Sequence, residues 1–260
     1  MQLNLIQYSV QHHVATLLLN PSEEHNPLSS LLISELGQAF ASAQKDITVK
    51  VVLFDAQGDA VASGLEPSYL SMVSKLDFEQ NVQESMDVMK LLQIMYTLRK
   101  PIVMLVDGKI SSFGCGLVSA SDIIIAAQET ALFGCPEVGY GFIPGAFLYF
   151  LAKRIGEARA REIALQGNFI TAEQAASIGL VTMAVPAINI KKSGISIAQQ
   201  LASENSGSSM GLVKELLSRI HGMSVNDAVE YISNLNALAR MTQDSQKGMK
   251  AILNNEKVNW

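Results

Sequence analysis

The sequence predicts an α/β protein whose sheet is buried on both faces, followed by a C-terminal region that is helical only. Two observations carry this. Short continuous apolar runs rich in β-branched residues, Val49–Phe54, Ile102–Val106 and Ile123–Ala127, suit strands covered on both sides. Between them lie segments with apolar residues at helical spacing, and beyond Pro186 only that pattern continues. At 260 residues, 48% of them hydrophobic and 17% charged, the chain can bury the core of one large domain, or of one domain with an appendage.

In chain order, Leu3–Val10 and Val14–Leu19, joined by Gln11-His12-His13, read as a hairpin with the two histidines in an exposed turn. Residues Asn20 to Pro27 form a polar loop with two prolines. Leu32, Leu36, Phe40 and Ala43 mark one face of a helix. After the strand Val49–Phe54 and a turn at Asp55–Asp59 comes a small-residue segment, Ala60 to Pro67. There Ser63 and Gly64 leave backbone N–H groups accessible beside a strand end, where open α/β sheets place ligands. Phe78, Val82, Met86, Met89 and Leu92 define a helix that stops near Arg99-Lys100-Pro101, and its methionines read as core filler.

The strand Ile102–Val106 is followed by a loop closing on Phe113-Gly114-Cys115-Gly116, with a helix opening at Leu117–Ala120. After Ile123–Ala127 a second loop carries Glu137, and Phe147–Leu151 is strongly apolar. Glu157–Gln166 reads as a helix ended by Gly167, and Thr171–Gly179 as a short one with a Thr-x-x-Gln capping box. Leu180–Val185 is a strand closed by Pro186. Helices then cover Ile195–Ala202, Met210–Ile220, Val225–Met241 (opened by a Ser224-x-x-Asp227 box) and Gln246–Leu253. The expected division is a core over residues 1–192 and a helical region over 193–260.

Composition excludes several functions. A net charge of −5 offers no basic footprint for nucleic acid. No apolar stretch approaches the roughly 18 residues of a membrane span, and the alternating N-terminus does not read as a secretion signal. Cys115 and Cys135 make no disulfide framework, so the expected compartment is the cytoplasm. The histidines at 12, 13, 25 and 221 show no metal-ligand spacing. Low charge with positive mean hydropathy points to apolar surface in subunit contacts.

Chemistry concentrates between Lys100 and Gly145, where two buried strands deliver backbone N–H groups and one carboxylate to a single place. Gly114 and Gly116 allow close backbone approach, and the start of a helix there turns N–H groups toward an anion. That is what an oxyanion site needs. Each feature alone has a plainer reading: a Gly-x-Gly is a tight turn, and a lone Glu is a solvated residue or a cap. A catalytic thiol at Cys115 or Cys135 has no histidine near it in sequence to act as its base.

Together these segments resemble the crotonase, or enoyl-CoA hydratase/isomerase, superfamily over nearly the whole chain. Leu18 to Ser29 resembles its L-N-R-P-x-x-x-N-A-L-S segment, Ala60 to Glu66 its A-F-x-A-G-x-D, and Lys100 to Gly108 its K-P-x-I-A-A-V-x-G. Phe133 to Glu137 with Ile143-Pro144-Gly145 is similar to F-G-x-P-E … I-P-G, and Gly167 to Val181 to G-x-x-x-x-A-x-E-A-x-x-x-G-L-V. The form Gly114-Cys115-Gly116-Leu117-Val118 to Asp122-Ile123 resembles most the methylglutaconyl-CoA hydratase-like branch.

The resemblance implies a spiral of ββα units with C-terminal helices that assemble a homotrimer or a dimer of trimers. It implies an acyl-CoA thioester substrate, with coenzyme A part of that substrate and no separate cofactor. It implies an oxyanion hole from the backbone N–H groups of Ser63 and Phe113, with Glu137 as acid/base. His25, Ala62, Gly64, Leu65, Gly114, Gly116 and Pro136 would contact substrate. Phe113, Tyr140, Phe142 and Phe147 either narrow the acyl pocket or serve as core aromatics. Hydratases of the two-carboxylate type carry a glutamate where this chain has Gly116, the glycine-rich stretch is thinned to Ser111-Ser112-Phe113-Gly114, and Asp122 to Glu137 is one residue longer than usual. The leading expectation is an enoyl-CoA hydratase. The alternatives are a single-carboxylate 3-enoyl to 2-enoyl isomerase, a decarboxylase, and a non-catalytic acyl-CoA-binding paralogue.

Overall fold

A computed structural model describes residues 3–19, 28–56 and 67–260. Six strands form the main sheet in the order β1-β2-β3-β4-β6-β9. They are β1 Ile6–Gln11, β2 Val14–Leu19, β3 Val51–Ala56, β4 Ile102–Val106, β6 Ile123–Ala127 and β9 Met183–Val185. Only β1 and β2 pair antiparallel; the other pairings in this sheet are parallel. The β1–β2 turn holds His12 and His13 at φ 48° and 63°, the left-handed pair of a tight two-residue hairpin turn. A smaller sheet, in the order β5-β7-β8, consists of Lys109–Ser111, Leu132–Gly134 and Phe169–Thr171.

The helices are α1 Ser30–Lys45, α2 Pro67–Val73, α3 Phe78–Thr97, α4 Phe113–Ala120, α5 Gly145–Ile155, α6 Glu157–Gln166, α7 Ala172–Ser177, α8 Ile190–Glu204, α9 Gly207–Ile220, α10 Val225–Arg240 and α11 Gln243–Leu253. Alternation along the strands explains their continuous apolar runs. Val52, Phe54, Met104, Val106 and Ala126 belong to one core cluster with residues of α1, α3, α4 and α5. Val51, Leu53, Val103, Leu105 and Ile125 belong to a second, with Ile190, Ala198 and Ala202 of α8. Helix α8 comes close enough that a Cβ on Gly194 would lie 2.3 Å from Leu105 Cδ2, so any side chain there would displace Leu105.

Two consecutive units, β4-β5-α4 and β6-β7-α5, each pass from the large sheet to the small one and then into a helix. This repetition is the ββα spiral that the resemblance implied. Both units bring the ends of their strands to one region, and the site is built there.

The structure also corrects several expectations. The loops after β4 and β6 contain β5 and β7, each of three residues, too short for alternation to register. Helix α4 begins at Phe113 and not at Leu117: all eight of its residues are buried, and packing overrides the poor helix propensity of Gly114 and Gly116. Helix α8 begins at Ile190, where the Lys191-Lys192 pair interrupts the apolar pattern, and the division at 192/193 falls inside it. The last strand is shorter than expected, Met183–Val185.

Candidate active site

Glu137 sits on a short 3₁₀ turn, Pro136–Tyr140, directly after β7. Pro136 pre-sets the backbone at the first position, and Gly141 closes the turn at φ 79°. The Glu137 carbonyl accepts the Phe142 N–H at 3.0 Å, which pins the turn. The side chain is only 5% exposed, and Oε2 makes no hydrogen bond. Burial pushes the carboxyl pKa up; its own backbone N–H and the nearby Ser112 hydroxyl act in the opposite direction.

Ser112 immediately precedes α4, at φ 53° and ψ −121°, a conformation that favours glycine. Its N–H donates to Gly134 O at 3.2 Å, which fixes the start of α4 against β7. Phe113 is the first residue of the helix, so its N–H has no acceptor within the helix. Ser112, Phe113 and Glu137 line one cavity of about 530 Å³. Residues 142–147 form the adjoining wall, and Tyr69, Leu70, Val73, Asn81, Glu84, Ser85, Val88 and Met89 of α2 and α3 the facing one. A larger hollow of about 800 Å³, lined by Arg154, Lys214, His221 and Trp260 among others, holds none of the three site residues.

Glu137 and Phe113, expected to act together, are therefore brought together. Phe142 and Phe147 line the cavity, whereas Tyr140 is exposed and does not. Gly114, Gly116 and Pro136 lie beside the cavity without lining it. Ser63, His25, Ala62, Gly64 and Leu65 lie outside the described residues.

At Gly116 a Cβ would meet Phe147 Cβ at 2.8 Å and Leu92 Cδ1 at 3.0 Å. A side chain there would collide with Phe147 Cβ, so the packing disfavours a carboxylate at position 116. Sequence reading did not find Glu84. Tyr69 donates to Glu84 Oε1 at 2.6 Å, and burial together with this carboxylate pushes the phenol pKa up. An acidic residue mid-way along an amphipathic helix gives no signal that it faces a cavity.

Both thiols are buried, and Cys115 Sγ donates to Gly134 O at 3.3 Å. The neighbouring Cys115 thiol and burial push the Cys135 thiol up, against the thiolate that a nucleophile needs. Neither lines the cavity. Among the described residues no group of three or more His, Cys, Asp or Glu side chains is placed to hold a metal ion. No helix among them is long and apolar enough to cross a membrane.

A mostly parallel sheet feeding a second small sheet through repeated ββα units is the crotonase fold. A crystal structure described as an enoyl-CoA hydratase from Shewanella pealeana superposes with a TM-score of 0.92 at 25% identity, covering 100% of this chain and 97% of that one. A Thermus thermophilus protein, provisionally assigned as an enoyl-CoA hydratase, is 32% identical over 239 residues, 92% of this chain and 94% of its own length. A mitochondrial enoyl-CoA hydratase of Pongo abelii is 29% identical over 248 residues, 95% of this chain and 83% of its own length. The enoyl-CoA hydratase/isomerase family profile matches residues 9–260. The chain belongs to the enoyl-CoA hydratase/isomerase family and is an enzyme of that family.

Proposed function

We propose that the protein hydrates 2-enoyl-CoA thioesters. The observation that carries this is the convergence of the Glu137 carboxyl, with its unpartnered Oε2, and the free first N–H of α4 in one cavity. The Phe113 N–H, with that of Ser63 by resemblance, would hold the thioester oxygen. Glu137 takes a proton from water as its oxygen bonds to carbon three, and the π pair moves onto the thioester oxygen. The same carboxyl then returns the proton to carbon two. A raised carboxyl pKa suits a group that must both accept and donate near neutral pH. The names of the Thermus and Pongo relatives support hydration over isomerisation, which uses one carboxylate and no water.

The cavity also bears on the acyl chain. Among the described lining residues there is no lysine or arginine, and Glu84 places a second carboxylate in the wall. That favours uncharged tails and weighs against the methylglutaconyl-like branch, whose substrate ends in a carboxylate. The test is incubation with 2-enoyl- and 3-enoyl-CoA esters, ending in methyl or carboxylate, in heavy-oxygen water with mass-spectrometric readout. Label is expected on 2-enoyl substrates, with methyl-ended tails favoured by roughly tenfold or more in kcat/KM. Double-bond migration without label would make the enzyme an isomerase, and preference for the carboxylate would overturn the tail assignment.

Helices α9 to α11 support the assembly reading. Val213, Leu217, Val229, Leu238 and Ile252 are all more than half exposed in the single chain, an apolar surface of the kind that subunits cover. Sedimentation is expected to give three or six times the 28.1 kDa chain mass, and a monomer would refute it. Two free buried thiols favour a reducing compartment, the cytoplasm.

A further inference from the structure

Ser112 carries three features that no structural role accounts for. Its backbone adopts a glycine-favoured conformation although it is not glycine. It occupies the N-cap position of α4, where a serine hydroxyl ordinarily accepts from the second or third N–H of the helix, yet this one makes no cap bond. Its hydroxyl is buried, the residue being 3% exposed, and makes no hydrogen bond within 3.5 Å, although it lies near enough to Glu137 to act against the rise of that carboxyl's pKa. Buried hydroxyls are nearly always satisfied, so an orphan in a cavity wall marks a place for a ligand.

The partner that this hydroxyl faces is equally unsatisfied. Among the described lining residues, Glu137 Oε2 is a second buried side-chain oxygen without a hydrogen-bond partner. The two side chains come from different units of the spiral, Ser112 from the end of β5 and Glu137 from the turn after β7, and β5 and β7 are neighbours. Hydration needs a water held by two groups, one to take a proton and one to fix the oxygen's lone pair toward carbon three. Gly116 cannot supply the second group, because Phe147 fills that space.

We propose that Ser112 Oγ and Glu137 Oε2 together hold the attacking water, which makes Ser112 a catalytic residue that occupies the role of a second carboxylate. The inference rests on the hydratase reading. One water proton is hydrogen-bonded to Ser112 Oγ and the other passes to Glu137. As the oxygen–carbon-three bond forms, the π pair moves to the thioester oxygen, and the proton on Glu137 is delivered to carbon two. Ser112 keeps its own proton throughout, so the net change is addition of one water.

The experiment compares wild type with Ser112→Gly and Ser112→Ala in two assays on CoA esters: heavy-oxygen incorporation into 2-enoyl-CoA, and deuterium exchange at carbon two of a saturated acyl-CoA. Exchange needs Glu137 and the oxyanion donors but no attacking water. The glycine variant removes the hydroxyl and relieves the backbone, so it should melt no lower than wild type, which eliminates misfolding as a cause. The ratio of hydration to exchange is expected to fall roughly tenfold or more in both variants, as for loss of one positioned hydrogen-bonding group. A glycine variant that keeps this ratio within about twofold of wild type would overturn the role of Ser112 and leave the hydratase reading standing. Absence of label with the wild-type enzyme is a different result: it overturns the hydratase reading, and the role of Ser112 with it.

Discussion

Glu137→Gln is expected to lose turnover by about three powers of ten, the scale of general acid–base catalysis by one positioned group, while gaining stability at neutral pH. Both effects have one cause. The carboxyl is buried, burial is the largest influence on its pKa, and that pKa is raised in the folded state. A carboxyl raised on folding contributes its full share of stability below the unfolded carboxylate pKa, and that share is lost as pH rises through the folded pKa. Wild type and Glu137→Gln should therefore melt alike in acid and diverge as pH rises, with the variant higher. In a chain of this size about 1 kcal/mol corresponds to roughly 2–4 °C in Tm. The checks are label incorporation, calorimetric titration with a CoA ester to show that binding survives, and melting curves at acid and neutral pH. A variant less stable than wild type only at neutral pH would show that the charged carboxylate is welcomed by its site, contrary to the burial argument.

Lys214→Met is expected to destabilise the fold by about 3 kcal/mol, the low end of what breaking a buried ion pair costs. The Lys214 ammonium on α9 is buried against Asp122 Oδ2 and also reaches Lys100 O at 3.3 Å. The same Asp122 oxygen accepts the Ile102 N–H at 2.7 Å. One carboxylate thus ties the first residue of β4, the approach to β6 and helix α9 together. Arg154 strengthens the same corner, donating to Leu180 O and Ser121 O, both at 2.7 Å. The loss stays at the low end because the Asp122 side chain is 31% exposed, and water can partly solvate it once Lys214 is gone. Denaturant titration of Lys214→Met, Asp122→Asn and the double variant closes a cycle. The double variant should recover part of the loss, and a single-variant effect below about 1 kcal/mol would refute a structural role for the pair.

Much of the frame was legible in the sequence because its signals were local and redundant. Ile102–Val106 and Ile123–Ala127 are the observed strands residue for residue, since both faces of the sheet are covered and each run is apolar throughout. Helix α6 is likewise Glu157–Gln166, bounded by Gly167 in the left-handed conformation. The capping box at Thr171 and Gln174 closes as read. What was hidden depends on contacts distant in sequence. Helix α4 opens at residues of poor propensity because its whole surface is buried. Ser112 looks like any loop serine until its φ and its unpartnered hydroxyl are seen together. Glu84 and Tyr69, 15 residues apart, meet only because α2 folds against α3.

The two walls of the cavity have different origins in the chain. Ser112, Phe113 and Glu137, to which the proposed mechanism assigns the water, one oxyanion N–H and the acid/base carboxyl, are each anchored to the spiral of strands. Other lining residues come from α2 and α3, which lie between β3 and β4 in the chain. On the proposed function, mutation within α2 or α3 is expected to reshape what the cavity accepts without displacing the Glu137 turn or the start of α4.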